Sequence, residues 1–89
     1  MPLQHVDGEV ILELAGISFA MLDVRTRVPV FVTYVAIEDI EQPRPSDHAE
    51  SLERFQRRRS DFEIIASKKF DGGQVEDDGS VRVGQADLP

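Results

Sequence analysis

The sequence predicts a two-layer α+β domain: an antiparallel sheet of about four to five strands packed on one long helix. Residues 17–35 alternate apolar side chains at a period of two on either side of a polar turn, the pattern of a hairpin. Residues 47–70 repeat apolar side chains at helical spacing between an acidic start and a basic, glycine-terminated end. Residues 74–84 hold two short strand-like runs about an Asp-Gly turn, which predicts a second hairpin.

In the first hairpin, Ile17, Phe19 and Met21 alternate with Ser18, Ala20 and Leu22, and Val28, Val30, Val32 and Tyr34 answer them. Asp23 to Arg27 is the polar turn region, and Pro29, which lacks an N–H, belongs at a sheet edge or a strand start. Upstream, Val10 to Leu14 reads equally as a strand or as one helical turn, ended by Gly16. Downstream, Ala36 to Ile40 suits a short helical turn, and Pro43 and Pro45 make the following connector extended.

The long helix has clear ends. Asp47, with Glu50 three residues on, resembles a capping box, and Lys68 and Lys69 complement the negative C-terminal end of the helix dipole. Gly72 and Gly73 supply a left-handed C-terminal cap. Leu52, Phe55, Phe62, Ala66 and Phe70 share one stripe that must cover a sheet. Arg59 lies near the centre of that stripe, Glu63 four residues later at its edge, and His48 at its start. A guanidinium on a core-facing stripe requires a partner. Arg59–Glu63 is therefore read first as a structural pair, with an anion or carboxylate-ligand site built from Arg59, Glu63 and His48 as the alternative. Ile64 points away from the stripe and Ile65 flanks it, which marks them as candidate interface residues.

Composition narrows the function. The chain of 89 residues forms a single domain, with 1–8 and 85–89 as ends expected to fray. It has no cysteine, which excludes disulfides, thiolate metal sites and cysteine nucleophiles and favours a reducing cytoplasm. No apolar stretch is long enough to cross a bilayer and no signal peptide is evident, so no membrane role is expected. The net charge of -7 disfavours nucleic acid. Residues 46–70 hold six basic residues and five acids, so this segment carries +1 and the rest -8. Arg57 and Arg58 could make a nucleic-acid accessory surface, but helical spacing pairs Glu53 with Arg57 and Glu50 with Arg54 on the surface, and no aromatics are interleaved for base stacking. His5 and His48 belong to no metal-spaced motif, the serines lie in no nucleophile elbow, and the glycines form no phosphate loop. No metal, cofactor or catalytic residue is assigned. The leading reading is a non-enzymatic interaction or regulatory module, with a homodimer or an unknown protein as its partner.

The helix reads Phe55-x-x-x-Arg59-x-x-Phe62-Glu63-x-x-Ala66, with Ile17-Ser18-Phe19-Ala20 before it and Asp78-Gly79-Ser80-Val81 and Asp87-Leu88 after it. Over residues 15–88 this pattern resembles the small bacterial proteins of domain of unknown function family 1488. The resemblance implies a compact α+β domain of a bacterial cytoplasm, with an arginine at Arg59 and a glutamate at Glu63. It implies no activity, cofactor or catalytic residue. The first fifteen residues depart from the pattern, because His5-Val6-Asp7-Gly8 stands as a turn where the family begins with an apolar strand.

Overall fold

A computed structural model describes residues 2–89; Met1, within the end expected to fray, lies outside the described residues. Strands β1 (Gln4–His5), β2 (Ile11–Leu12), β3 (Gly16–Asp23) and β4 (Thr26–Thr33) precede helices α1 (Tyr34–Asp39), α2 (His48–Arg57) and α3 (Arg59–Asp71). Strand β5 (Val81–Val83) and a 3-10 turn (Gln85–Asp87) close the chain.

The predicted first hairpin is the centre of the sheet. Its register pairs Ile17 with Val32, Phe19 with Val30 and Met21 with Val28, so these six apolar residues share the buried face. Its turn is tighter than the polar segment suggested. Only Val24 and Arg25 lie between the strands, and Val24 takes a φ of 58°, a strained position for a β-branched side chain. The strand ends one residue before Tyr34, because the Thr33 side chain accepts from the Ala36 N–H and starts α1 there. Pro29 sits one residue outside the stretch of β4 that pairs with β5, as its missing donor requires.

The ambiguous segment 10–14 resolves as strand. Gln4 and His5 face Leu22 and Met21, while Ile11 and Leu12 face Ser18 and Ile17. The eight residues from Gln4 to Ile11 thus span five on β3, from Leu22 to Ser18. β1 and β2 are one edge strand interrupted by a bulging loop at 6–10. Both predicted loose ends carry structure: Leu3 is buried with its N–H donating to Ser67 Oγ at 3.0 Å, and Leu88 packs on the core.

Two features of the predicted architecture are corrected. The terminal hairpin 74–84 does not form, and the sheet is mixed, in the order β1–β3–β4–β5 with β2 also on β3. The Asp78-Gly79 turn exists, with Glu76 N–H donating to the Ser80 carbonyl at 2.8 Å and Gly79 at a φ of 86°. However, Gln74 to Glu76 has only Val75 to bury, and no strand forms there. Val81 and Val83 take the free edge of β4 instead, paired in parallel with Val30 and Val32. Their orientation follows from connectivity, because α1–α3 carry the chain back along the sheet before β5 begins.

The single helix 47–70 is two helices. Arg58, at φ -105° and ψ 14°, breaks the helical path, although its N–H still donates to the Arg54 carbonyl at 2.9 Å. The break falls between the two phenylalanines that cover the sheet and lets each half follow its twist. Phe55 and Phe62 are both fully buried, with rings 5.9 Å apart. Asp47 caps α2 through the Glu50 N–H at 2.9 Å, but Glu50 reaches past it to the Ser46 N–H at 2.8 Å. At the other end only Gly73 is left-handed, at a φ of 76°. Gly73 N–H donates to Phe70 and Gln74 N–H to Lys69, which completes a Schellman motif.

Candidate functional site

Helix α3 carries most of the residues that the sequence singled out. Arg59 Nε donates to Glu63 Oε2 at 3.2 Å, as the four-residue spacing predicts. The same guanidinium reaches the Val6 carbonyl at 3.4 Å and lies 4.8 Å from the centre of the Phe19 ring. The arginine stem covers the core while its head points to the edge loop.

His5 completes the cluster, and sequence reasoning left it out. Its Nδ1 lies 2.7 Å from Glu63 Oε2 and its Nε2 3.2 Å from Asp7 Oδ1. The Glu63 carboxylate, and then Asp7, raise the His5 pKa above its ordinary value. Glu63 therefore bridges β1 and the edge loop to α3, through one arginine and one histidine. The carboxylate that Arg59 would take from a ligand is supplied by the chain itself. His48 does not join them. It stacks on Tyr34 at 4.5 Å between ring centres, beside the start of α2. No local pattern points to His5, since its pairing depends on β1 folding back onto β3 beside α3.

The arginine triplet is likewise paired with carboxylates of the chain itself. Arg57 pairs with Glu41 at 2.6 Å, and Arg58 pairs with Glu41 at 3.4 Å and Asp61 at 2.9 Å. Arg54, which sequence reasoning assigned to a surface pair with Glu50, is the buried arginine of the molecule at 8% exposure. It donates to the carbonyls of Glu41 and Pro43. A signal for this was present: the proline connector exposes carbonyls that no secondary structure satisfies.

Ile64 and Ile65 separate as expected. Ile64 is 55% exposed, whereas Ile65 is partly buried and packs against the core. Ile64 stands on a crest between two clefts. One, of about 510 Å³, has Ile40, Ile65 and Leu88 in its lining, with Asp61 and Lys68 also against it. The other, of about 500 Å³, is lined by Leu3, Met21, Glu63 and Ser67 among others. Asp87 closes the first cleft by holding Lys69 Nζ at 2.9 Å and the Gly84 N–H at 2.8 Å. Burial pushes the Asp87 carboxyl up, but Gly84 and Lys69 outweigh it and lower its pKa overall. Among the described residues no group of His, Asp and Glu is arranged to hold a metal ion, and no helix is long and apolar enough to cross a membrane.

Residues 9–83 match the family model described as Protein of unknown function (DUF1488). The chain belongs to this family. A crystal structure of a protein of unknown function from the DUF1488 family, from Shewanella loihica PV-4, is similar in fold, with a TM-score of 0.79 at 15% identity. The likeness covers 92% of this chain and 91% of that one. No curated protein matches the chain. DUF1488 membership supports the mixed-sheet α+β fold and carries no assigned activity.

Proposed function

We propose that this DUF1488 chain is a non-enzymatic interaction module that pairs with a second copy of itself through the outer face of α3. The observation that carries the reading is Ile64, an isoleucine 55% exposed on a crest beside a cleft lined in part by Ile40, Ile65 and Leu88. A lone exposed isoleucine is ordinary on any surface. Its neighbours make this one different.

Asp61, Ile64 and Lys68 follow one another at three- and four-residue steps and so share a face. When two such helices pack antiparallel about a two-fold axis near Ile64, each Lys68 meets the partner's Asp61. Lys68 makes no ion pair among the described residues, so it is available for one. The crest and the cleft are then complementary surfaces of one patch, as an isologous contact requires. The acid–base groups that meet elsewhere, His5 with Glu63 and Asp7, tie the edge strand and its loop to α3. The small, cysteine-free core supports a cytoplasmic setting.

Sedimentation equilibrium tests the reading. Wild type is expected to dimerise at micromolar concentrations, Ile64→Lys to remain monomeric, and Lys68→Asp to weaken the dimer by setting like charges together. Combining Asp61→Lys with Lys68→Asp restores the pairing. A wild-type monomer at hundreds of micromolar would overturn the proposal, and so would a double exchange that fails to recover the loss caused by Lys68→Asp.

A further inference from the structure

The sheet has a second face, on the side away from the helices. Cross-strand partners share a face, so the register sets Ile11, Ser18, Phe31 and Arg82 in one row across it. Ala20 lies opposite Pro29, and Leu22 opposite Arg27, in the rows beyond. The floor is thus apolar and its strands carry two charged side chains, both arginine. Neither Arg27 nor Arg82 has an ion pair among the described residues, whereas Arg44, Arg54, Arg57, Arg58, Arg59 and Lys69 all lie within 3.9 Å of a carboxylate. Exposed arginines also serve simply to keep a sheet face soluble. That role needs no particular sign, yet in a chain of net charge -7 the outward strand positions hold no acid.

A hollow of about 520 Å³ lies over Ser18, Ala20 and Pro29, with Ile11 and Arg27 in its lining and the Gly8–Glu9 loop as a wall. Beneath it the edge strand is interrupted, so Phe19 and Ala20 have no partner on that edge.

We infer that this face docks an extended acidic segment of a partner protein. Arg27 and Phe31, the neighbour of Arg82, are four residues apart on β4, which places the two arginines about 14 Å apart after one strand spacing. Carboxylates at positions i and i+4 of an extended segment match that span, and an apolar side chain at i+2 then points down onto the floor. Single-stranded nucleic acid fits less well. Phe31 offers no bare ring for a base, because the Arg82 guanidinium lies over it at 5.2 Å. Its edge is seated over Gly16, where a Cβ would stand 2.8 Å from Cζ. The face is on the opposite side of the sheet from α3, so it stands independently of self-association.

Fluorescence polarisation tests the inference with a short labelled peptide of repeating Glu-Ser-Leu-Ser, its Lys-Ser-Leu-Ser counterpart, and labelled oligothymidylate. The acidic peptide should bind, and more weakly as salt is added. Arg27→Glu with Arg82→Glu should weaken it roughly tenfold or more. Glu9→Gln, which removes the acid from the wall of the hollow, should tighten it. Equal binding of the lysine peptide, preference for oligothymidylate, or no binding of the acidic peptide at millimolar concentration would each overturn the inference. So would unchanged affinity in the double arginine variant. Should that variant fail to fold, Glu9→Gln decides: affinity unchanged or reduced refutes the charge assignment.

Discussion

Arg54 gives the sharpest test of how this molecule is held together. Its guanidinium is buried and donates to the carbonyls of Glu41 and Pro43, clamping the proline connector onto α2. Replacing it by methionine keeps the stem and removes both charged donors. Hydrogen bonds to a charged group contribute about 1.5–3 kcal/mol each, so the two sum to about 3–6 kcal/mol. Methionine also relieves the desolvation of a buried cation, which lowers the net cost to about 2–4 kcal/mol. Arg57 is the control. It pairs with the same residue, Glu41, at 2.6 Å, but its side chain is 53% exposed. An exposed pair contributes about 0–1 kcal/mol. A domain of this size has a total stability of about 4–13 kcal/mol, so Arg54→Met should remove a large fraction and Arg57→Met almost none. Urea unfolding followed by circular dichroism measures both. With a slope near 1–1.5 kcal/mol per molar, the Arg54→Met midpoint should fall by about 1.3–4 M. A loss under about 1 kcal/mol, or equal losses in the two variants, would show that burial does not separate these arginines.

The remaining predictions concern the edge cluster and the helix end. The His5 pKa is raised in the folded protein, chiefly by Glu63, so His5 contributes stability that is complete below its ordinary value of 6.5 and lost as pH rises through the folded pKa. The gap in urea midpoint between wild type and His5→Gln should therefore be widest below pH 6.5 and close above it; a gap that widens with pH would reverse the sign. In NMR titration the His5 pKa should move back toward its ordinary value in Glu63→Gln. Gly73→Ala should cost about 1 kcal/mol, because its φ of 76° resists a β-carbon. Gly72→Ala should change stability by under about 0.5 kcal/mol, since Gly72 sits at φ -83° and an added Cβ would stand 3.4 Å from its nearest neighbour, the Lys68 carbonyl oxygen.

The elements that the sequence made legible are those whose signal is local. The alternation of residues 17–32 specifies which side chains face the core, because a one-residue slip would turn every one of them outward. Asp47 and Gly73 mark helix ends, because caps satisfy backbone groups within a few residues of themselves. Arg59 and Glu63 are legible as a pair, because helical spacing alone brings them together.

Tertiary structure decided what depends on distant partners. β5 runs parallel to β4 because the free edge of β4 and the crossover through α1–α3 outweigh a turn dipeptide that had only Val75 to bury on its near side. The long helix breaks at Arg58 to follow a twisted sheet that no helical periodicity describes. Arg54 is buried, although its neighbours suggested a surface pair, because the carbonyls of Glu41 and Pro43 need donors that their own segment lacks. His5 meets Glu63 only because β1 folds back onto β3. Local chemistry in this sequence therefore determines the elements and their buried faces, while the satisfaction of backbone groups and the edges of the sheet, which are long-range demands, determine how those elements join.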